Sequence, residues 1–433
     1  MSDAPTATPA PLEARETPGP TGAADRIDAL DILRGFALFG VLLVNLEFWF
    51  RTSQYRYHLN RFPYPSLPDR IVDAILPVFF EVRFLSLFSF LFGAGLAIQL
   101  ERAERSQARP LRFLARRLGV LLGIGAAHIF LIWSGDILHV YAVVGLFVLP
   151  LLRRRPKTLA IVAACIIALP AVGNLVVRLV QLARGRSAVQ ARDTASLAET
   201  RALIEENVRV FGQGSWLEIA RARIDDYVRF APDLAFVATL AFVMALLGVV
   251  AWKRGVFQRP ADHRPLLRRT LALGLIFGIG FSIARVARVA LALPEVPLWV
   301  WRSMEGFFPA AMIASTLAYG ALILLALERE RSRAILAHLA PVGRMALSNY
   351  LLQSVICSLL FYGFGLGLYD KLGSAAGALL AVAIFAAQIE LSRAWFTRFQ
   401  FGPVEWLWRS LTYGRSQPMR KTIKTIKNPA PSA

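Results

Sequence analysis

Leu30-Asp31-Ile32-Leu33-Arg34-Gly35-Phe36-Ala37-Leu38-Phe39-Gly40-Val41-Leu42-Leu43-Val44-Asn45 is apolar enough to enter lipid, yet it opens with a carboxylate and a guanidinium. A charge well inside a membrane helix costs roughly 2.5–3.5 kcal/mol on insertion scales, so such groups sit at an interface, pair, or face a polar interior. Asp31 and Arg34 are three apart and pair on one helical face. Asn45 follows about three turns later, on the same face and roughly 16 Å further along. Taken singly, Arg34 can snorkel to headgroups and Asn45 can bond a neighbouring helix. Three polar groups on one stripe of an apolar helix instead make that stripe a candidate functional face.

The 433 residues are 56% hydrophobic with a mean hydropathy of +0.50, beyond the roughly 45–50% apolar share of soluble domains. The fold class is therefore all-α, a polytopic membrane helical bundle. A formal net charge of +20 would by itself point to nucleic acid. Here the basic residues form short clusters between hydrophobic runs instead of one basic face, so no nucleic-acid partner is expected and the lipid bilayer is the expected partner. Cys165 and Cys357 lie in apolar segments without a CxxC partner, so neither a disulfide framework nor a metal site is expected.

About ten segments are long enough to span, by a criterion of roughly 17–25 residues. Residues 1–25 read as a disordered cytoplasmic tail, without the basic and apolar regions of a cleaved signal. Residues 26–182 carry helices 1–5, placed at 33–50, 82–100, 118–133, 137–152 and 159–182. Residues 183–231 form an amphipathic periplasmic loop, in which 197–211 and 216–230 have helical spacing and lie on the membrane or cap the bundle. Residues 232–397 carry helices 6–10 (232–252, 271–293, 304–327, 345–366, 372–395), and residues 398–433 are a basic cytoplasmic tail. The connections after even-numbered helices, with the tail, hold about twice as many Lys and Arg as the opposite side, which puts both termini in the cytoplasm. Gly93 and Gly95 in helix 2 read as packing glycines.

Depth along the helices groups residues that the chain separates. His128 lies about level with Asn45, and Asp136 follows at the outer turn, where it suits an N-cap. His139 is within pairing distance of Asp136. A histidine held by a carboxylate is the usual general base with its orienting partner. A histidine bonded to a neighbouring helix and an aspartate serving only as a cap are the simpler readings. Glu81, Arg83, Arg285, Arg288 and Glu305 are expected to gather at an outer polar cavity. At the inner boundary, Asp31, Arg34, Arg344, Asn349 and Gln353 form either interhelical glue or a basic mouth for a phosphorylated donor. Glu390 and Arg393 fall at the same depth. No P-loop, HExxH or GxSxG is present.

These residues carry a resemblance. Leu30-Asp31-x-Leu33-Arg34-Gly35 with Asn45, the Phe84–Gly95 run, His128, Gly135-Asp136-Ile137-Leu138 with Tyr141, and Gly343-Arg344-Met345-Ala346-Leu347-Ser348-Asn349-Tyr350 with Gln353 all resemble the YeiB-like bacterial inner-membrane proteins. Gly402-Pro403-x-Glu405-Trp406-Leu407-Trp408-Arg409 with Tyr413-Gly414 matches the closing region of that family, called domain of unknown function 418. Its opening motif and following Asn are similar to those of transmembrane acyltransferases, which pass an acyl group from coenzyme A to an acceptor across the bilayer. The resemblance implies an acyl-coenzyme A donor, a small-molecule or lipid acceptor, and a catalytic histidine. In the acyltransferase relative that histidine follows helix 1, where this chain has His58, whereas His128 belongs to the YeiB-like pattern.

The expectation is an acyltransferase with His128, Asp136 and Asn45 as its chemical residues, and Asp31, Arg34, Arg83, Arg344, Asn349 and Gln353 binding substrate. A transporter or flippase using the same polar residues as a pathway is the rival, and a non-catalytic membrane scaffold the third reading.

Overall fold

Only helices and closed barrels satisfy every backbone N–H and C=O in lipid, and the apolar runs of this chain resolve into helices. The structure is a computed structural model that describes residues 28–52, 66–106, 109–184, 190–290 and 306–421. His58, Glu305, the N-terminal tail and the Lys-rich end lie outside them. In chain order the helices are α1 (Asp28–Phe48), α2 (Leu67–Phe79), α3 (Arg83–Ser106), α4 (Pro110–Leu131), α5 (Leu138–Val148) and α6 (Pro156–Arg184). They continue with α7 (Gln190–Gln213), α8 (Trp216–Arg229), α9 (Ala231–Lys253), α10 (Arg264–Leu273), α11 (Gly280–Ala290) and α12 (Phe308–Ala326). The set closes with α13 (Glu330–Leu336), α14 (Ala340–Arg344), α15 (Ala346–Phe361), α16 (Ser374–Arg398) and α17 (Pro403–Tyr413). No strand occurs among the described residues. Seven of the expected segments are helices long and apolar enough to cross a membrane, and the segments at Leu138–Leu151, Pro156–Pro170 and Ala346–Phe361 are shorter apolar helices. The protein is a multi-pass membrane bundle.

Glycine sets how close the central helices come. A Cβ at Gly93 of α3 would meet the Ala245 carbonyl oxygen at 1.9 Å, and one at Gly248 of α9 would meet that of Phe90 at 1.9 Å, so α3 and α9 cross with backbones in contact. Likewise a Cβ at Gly343 would meet the Asp31 carbonyl oxygen at 1.8 Å, seating α14 on the start of α1. Gly95 differs from its expected packing role. Its nearest neighbour would be Arg34 Nη2 at 3.7 Å, and it lines a cavity.

Helix 2, expected at 82–100, is α3, and the apolar stretch before it is a separate helix, α2. Ser66 caps α2, with Leu67-Pro68 opening it, and the chain breaks at Val82, whose φ of 61° is a left-handed conformation that costs a β-branched residue about 1–2 kcal/mol. The helices expected at 197–211 and 216–230 are found as α7 and α8, and they cap one end of the bundle. Phe211 of α7 packs on Tyr362 and Tyr369 at centroid distances of 5.5 and 5.4 Å. A Ser215–Glu218 capping box starts α8.

The expected tail contains one more helix. Pro403 opens α17 and Gly414, at φ 70°, ends it, the usual pairing of an N-terminal Pro with a C-terminal Gly. The Trp408 indole N–H donates to the Arg117 carbonyl at 2.8 Å, which docks α17 against α4.

Candidate functional site

Two cavities enter the bundle from opposite ends. The larger, of about 710 Å³, is bounded by α1, α3, α4, α5, α15 and α17. Its mouth carries Arg34, Arg102, Arg105, Arg117, Arg344 and Arg409, against the carboxylates Asp31, Glu101 and Glu405. Its depth is apolar, with Leu85, Phe88, Phe92, Leu121 and Leu138, and ends at Ile137, Tyr141 and Tyr350. The smaller, of about 190 Å³, is lined by Asn45, Trp49, Phe80, Phe84, Asp136, Tyr227, Phe230 and Asp233 among others. Val41, Leu85 and Ile137 line both cavities and form the partition between them.

Four of the mouth arginines are held by two devices, an ion pair for Arg34 and ring stacking for Arg117, Arg344 and Arg409. Arg34 Nη1 donates to Asp31 Oδ1 at 2.9 Å, the i,i+3 pair read from sequence, and keeps 30% of its side chain exposed. Arg117 lies over the Trp408 ring at 3.7 Å, Arg344 over Phe396 at 4.0 Å and Arg409 over Phe401 at 4.5 Å. Stacking fixes a guanidinium plane while leaving its N–H groups for phosphate or carboxylate. Glu405 of α17 accepts from Leu347 N at 2.8 Å, Ser348 N at 3.1 Å and Ser348 Oγ at 2.5 Å, so it caps α15. Burial pushes its carboxyl above the usual range, and these donors only partly offset that. Glu405 and Arg409 entered the sequence analysis only as part of the closing motif, and Arg102, Arg105 and Arg117 were given no role there. The Pro403 and Gly414 boundaries were the available signal for α17.

At the partition, His128 Nδ1 meets Asp136 Oδ1 at 2.8 Å, and Asp136 Oδ2 receives His139 N at 2.9 Å and His139 Nδ1 at 2.8 Å. Tyr227 of α8 meets His139 Nε2 at 3.1 Å. Four side chains from α4, the following turn, α5 and α8 thus form one chain of hydrogen bonds. Asp136 caps α5 as expected while also joining two imidazoles. Burial works to raise its carboxyl, but the hydrogen bonds from His128 and His139 outweigh burial and hold it below the usual range. Tyr227 is raised by its partial burial and by the Asp136 charge. His128 is 2% exposed, and its Nε2 has no hydrogen-bond partner among the described residues. It lines neither cavity. The Tyr350 ring, at the deep end of the larger one, packs on it at a centroid distance of 5.4 Å.

Three expected binding residues are placed elsewhere. Arg83 is fully buried and lines neither cavity. It donates to Ser315 Oγ at 3.0 Å, to Ser282 Oγ, and to the Pro77 and Glu81 carbonyls at 3.1 and 3.2 Å, satisfying the acceptors freed by the α2–α3 break. Asn349 donates to Ser392 at 3.0 Å and Gln353 to Gln388 at 2.8 Å, with Gln388 returning a bond to the Asn349 carbonyl at 2.9 Å. That set joins α15 to α16 as interhelical bonding. Glu81, Arg83, Arg285 and Arg288, expected to gather at an outer polar cavity, line neither of the two cavities. Glu81 pairs with Arg285 at 3.2 Å, and Arg285 lies over Phe308 at 4.6 Å.

A buried group at the same end escaped the sequence reading. Arg51 pairs with Glu47 at 2.7 Å, and Ser374 Oγ joins Glu47 at 2.9 Å and Asp73 at 2.5 Å. It ties α1, α2 and α16 together.

Residues 251–415 match a family described as "Protein of unknown function (DUF418)". The chain is 35% identical over 419 residues to the Uncharacterized protein YxaH of Bacillus subtilis (strain 168), covering 94% of this chain and 98% of that protein. It is 32% identical over 412 residues to the Uncharacterized protein YeiB of Escherichia coli (strain K12), covering 91% and 98%. The chain belongs to the YeiB-like DUF418 family. A 39.9 kDa Bacillus acidopullulyticus protein, from the amylase 3' region, is 26% identical over 404 residues, or 92% of this YeiB-like chain and 97% of that protein. The matches to these relatives extend over nearly their full lengths. The family model itself takes in α15 and α17, and with them Arg344, Glu405 and Arg409 of the basic mouth.

Proposed function

We propose that this protein is an inner-membrane acyltransferase, drawing an acyl group from a cytoplasmic donor of the acyl-coenzyme A type and delivering it to an acceptor that enters from the periplasmic end. The observation that carries this reading is the meeting of two unlike cavities at Val41, Leu85 and Ile137, beside the His128–Asp136 pair. A basic mouth above an apolar throat suits a ligand with phosphates at one end and an acyl chain at the other. The loop charges put that mouth in the cytoplasm.

In this reading His128 donates its Nδ1–H to Asp136 and keeps a lone pair on Nε2. Nε2 takes the proton of the acceptor hydroxyl or amine as that group attacks the acyl carbon. The tetrahedral intermediate then expels the thiolate, which receives the proton back from His128. Asn45, on the wall of the smaller cavity, donates to the oxyanion. The Tyr350 ring must turn aside first, and among the described residues its hydroxyl is held by contacts of 3.3 Å to Ile137 N and 3.4 Å to the Gly135 carbonyl.

Two cavities at opposite ends behind a thin wall also suit a transporter, and donor binding separates the two readings. Acetyl-coenzyme A should raise the melting temperature of purified protein, since a ligand at about 100 times its Kd adds about 2.7 kcal/mol to the folded state. Arg34→Ala and Arg344→Ala should each reduce that rise through lost phosphate pairing. No rise with well-folded wild-type protein would refute the donor assignment and favour transport.

A further inference from the structure

The two cavities carry opposite charge. The smaller one has Asp136 and Asp233 in its lining and neither Lys nor Arg, whereas the larger has six arginines. Asp136 is held ionised by its two histidine partners. Asp233 sits in the first turn of α9 and makes no ion pair among the described residues. Around them stand Trp49, Phe80, Phe84 and Phe230. Trp49 is fixed edge-on against Trp133 at 6.0 Å and Phe230 at 5.4 Å, so this wall is preformed. The exposed carboxylate of Asp233 beside aromatic faces attracts a cation through both charge and ring quadrupole, and it repels a ligand phosphate. An apolar cavity of about 150 Å³ holds a benzene ring, so about 190 Å³ takes a group of similar or slightly larger size.

We propose that the smaller cavity is a binding site for a primary ammonium group, carried by a small amine or by a lipid headgroup, with Asp233 as the counter-ion and Trp49 and Phe230 as the aromatic wall. On the acyl-transfer reading, on which this assignment of role rests, the bound molecule is the acceptor: its ammonium first loses one proton to water, and His128 takes the second as the free amine attacks the acyl carbon. The binding itself does not depend on that chemistry.

Calorimetric titration of the purified full-length protein with ethanolamine and with ethylene glycol, a neutral molecule of the same size, tests the charge preference. Ethanolamine should bind at least tenfold more tightly, and Asp233→Asn and Trp49→Ala should each weaken it by a similar factor. Melting temperature without ligand reports whether each variant is folded. In nanodiscs, a wild-type melting point raised by phosphatidylethanolamine over phosphatidylglycerol, and lost in Asp233→Asn, assigns the amine to a lipid headgroup. Binding of free ethanolamine without that lipid effect assigns it to a small molecule. Equal binding of the two titrants, undiminished binding in folded Asp233→Asn, or no response to either amine source overturns the proposal. Asp233-dependent amine binding in a protein that ignores acetyl-coenzyme A would leave the amine site standing and remove the acyl-transfer reading.

Discussion

Gly343→Ala should separate α14 from α1 and loosen the basic mouth that the two helices share. The added Cβ would lie 1.8 Å from the Asp31 carbonyl oxygen and 2.8 Å from Gly35 N, where ordinary contact begins at 3.4 Å. Backbone atoms cannot rotate away as a side chain can, so the helices must part by about 1.5 Å, and overpacking of this kind costs about 1–3 kcal/mol. Separation also weakens the neighbouring approach of Gly35 to the Leu339 carbonyl. Gly123→Ala in α4 is the matched control. It has nothing within 4 Å, and removing a helix-interior glycine stabilises by about 0.5–1 kcal/mol. The pair should therefore differ by about 1.5–4 kcal/mol in opposite directions. Thermal unfolding in one detergent, followed by intrinsic tryptophan fluorescence, reads this as a lowered midpoint for Gly343→Ala and an unchanged or raised one for Gly123→Ala. Arg344 rides on α14 and Arg34 on α1, so the stabilisation by acetyl-coenzyme A should shrink as well. A Gly343→Ala protein that melts at or above wild type would refute the close seating of α14 on α1.

His128→Gln should keep a hydrogen-bonding group beside Asp136 and a near-native melting point while losing transfer by about 10²–10⁴-fold, and Asp136→Asn should do the same by disturbing the imidazole's tautomer. Full transfer in folded His128→Gln protein would remove this residue from the mechanism and turn attention to His58. Burial pushes the Asp226 carboxyl on α8 up to about 6 from 3.8, with Arg229 at 3.1 Å only partly offsetting it. The folded state then holds this proton more tightly than the unfolded chain, so stability falls as pH rises from about 4 to about 6, by at most about 3 kcal/mol. Asp226→Asn should flatten that part of the melting-temperature profile, and a profile parallel to wild type would show the carboxyl to be unperturbed.

Local rules carried much of the reading. Lipid demands long apolar runs, so hydropathy alone located the membrane helices, and helical spacing located α7 and α8 in the longest connection. Pairs three residues apart were equally legible. Asp31 with Arg34 and Asp136 with His139 meet because one helical turn separates them. The partnership of His128 with Asp136 was also readable, since a tight turn returns the chain from α4 to α5 beside its own start.

What the chain could not display was which neighbour each polar face meets. Arg83, Asn349 and Gln353 have the residue types of a binding site, yet packing turns the first into the α2–α3 break and the others toward α16. Arg117 and Arg409 read as ordinary surface basic residues until α17 folds back and brings both to the cavity mouth. The opposite charge of the two cavities likewise belongs to no single segment, because Asp136, Tyr227 and Asp233 come from a turn and two separate helices. Sequence determined which segments form apolar helices and which of their faces are polar, since both follow from interactions within one or two helical turns. The tertiary structure decided which of those faces enclose space and which fill it, because that depends on contacts between helices far apart in the chain.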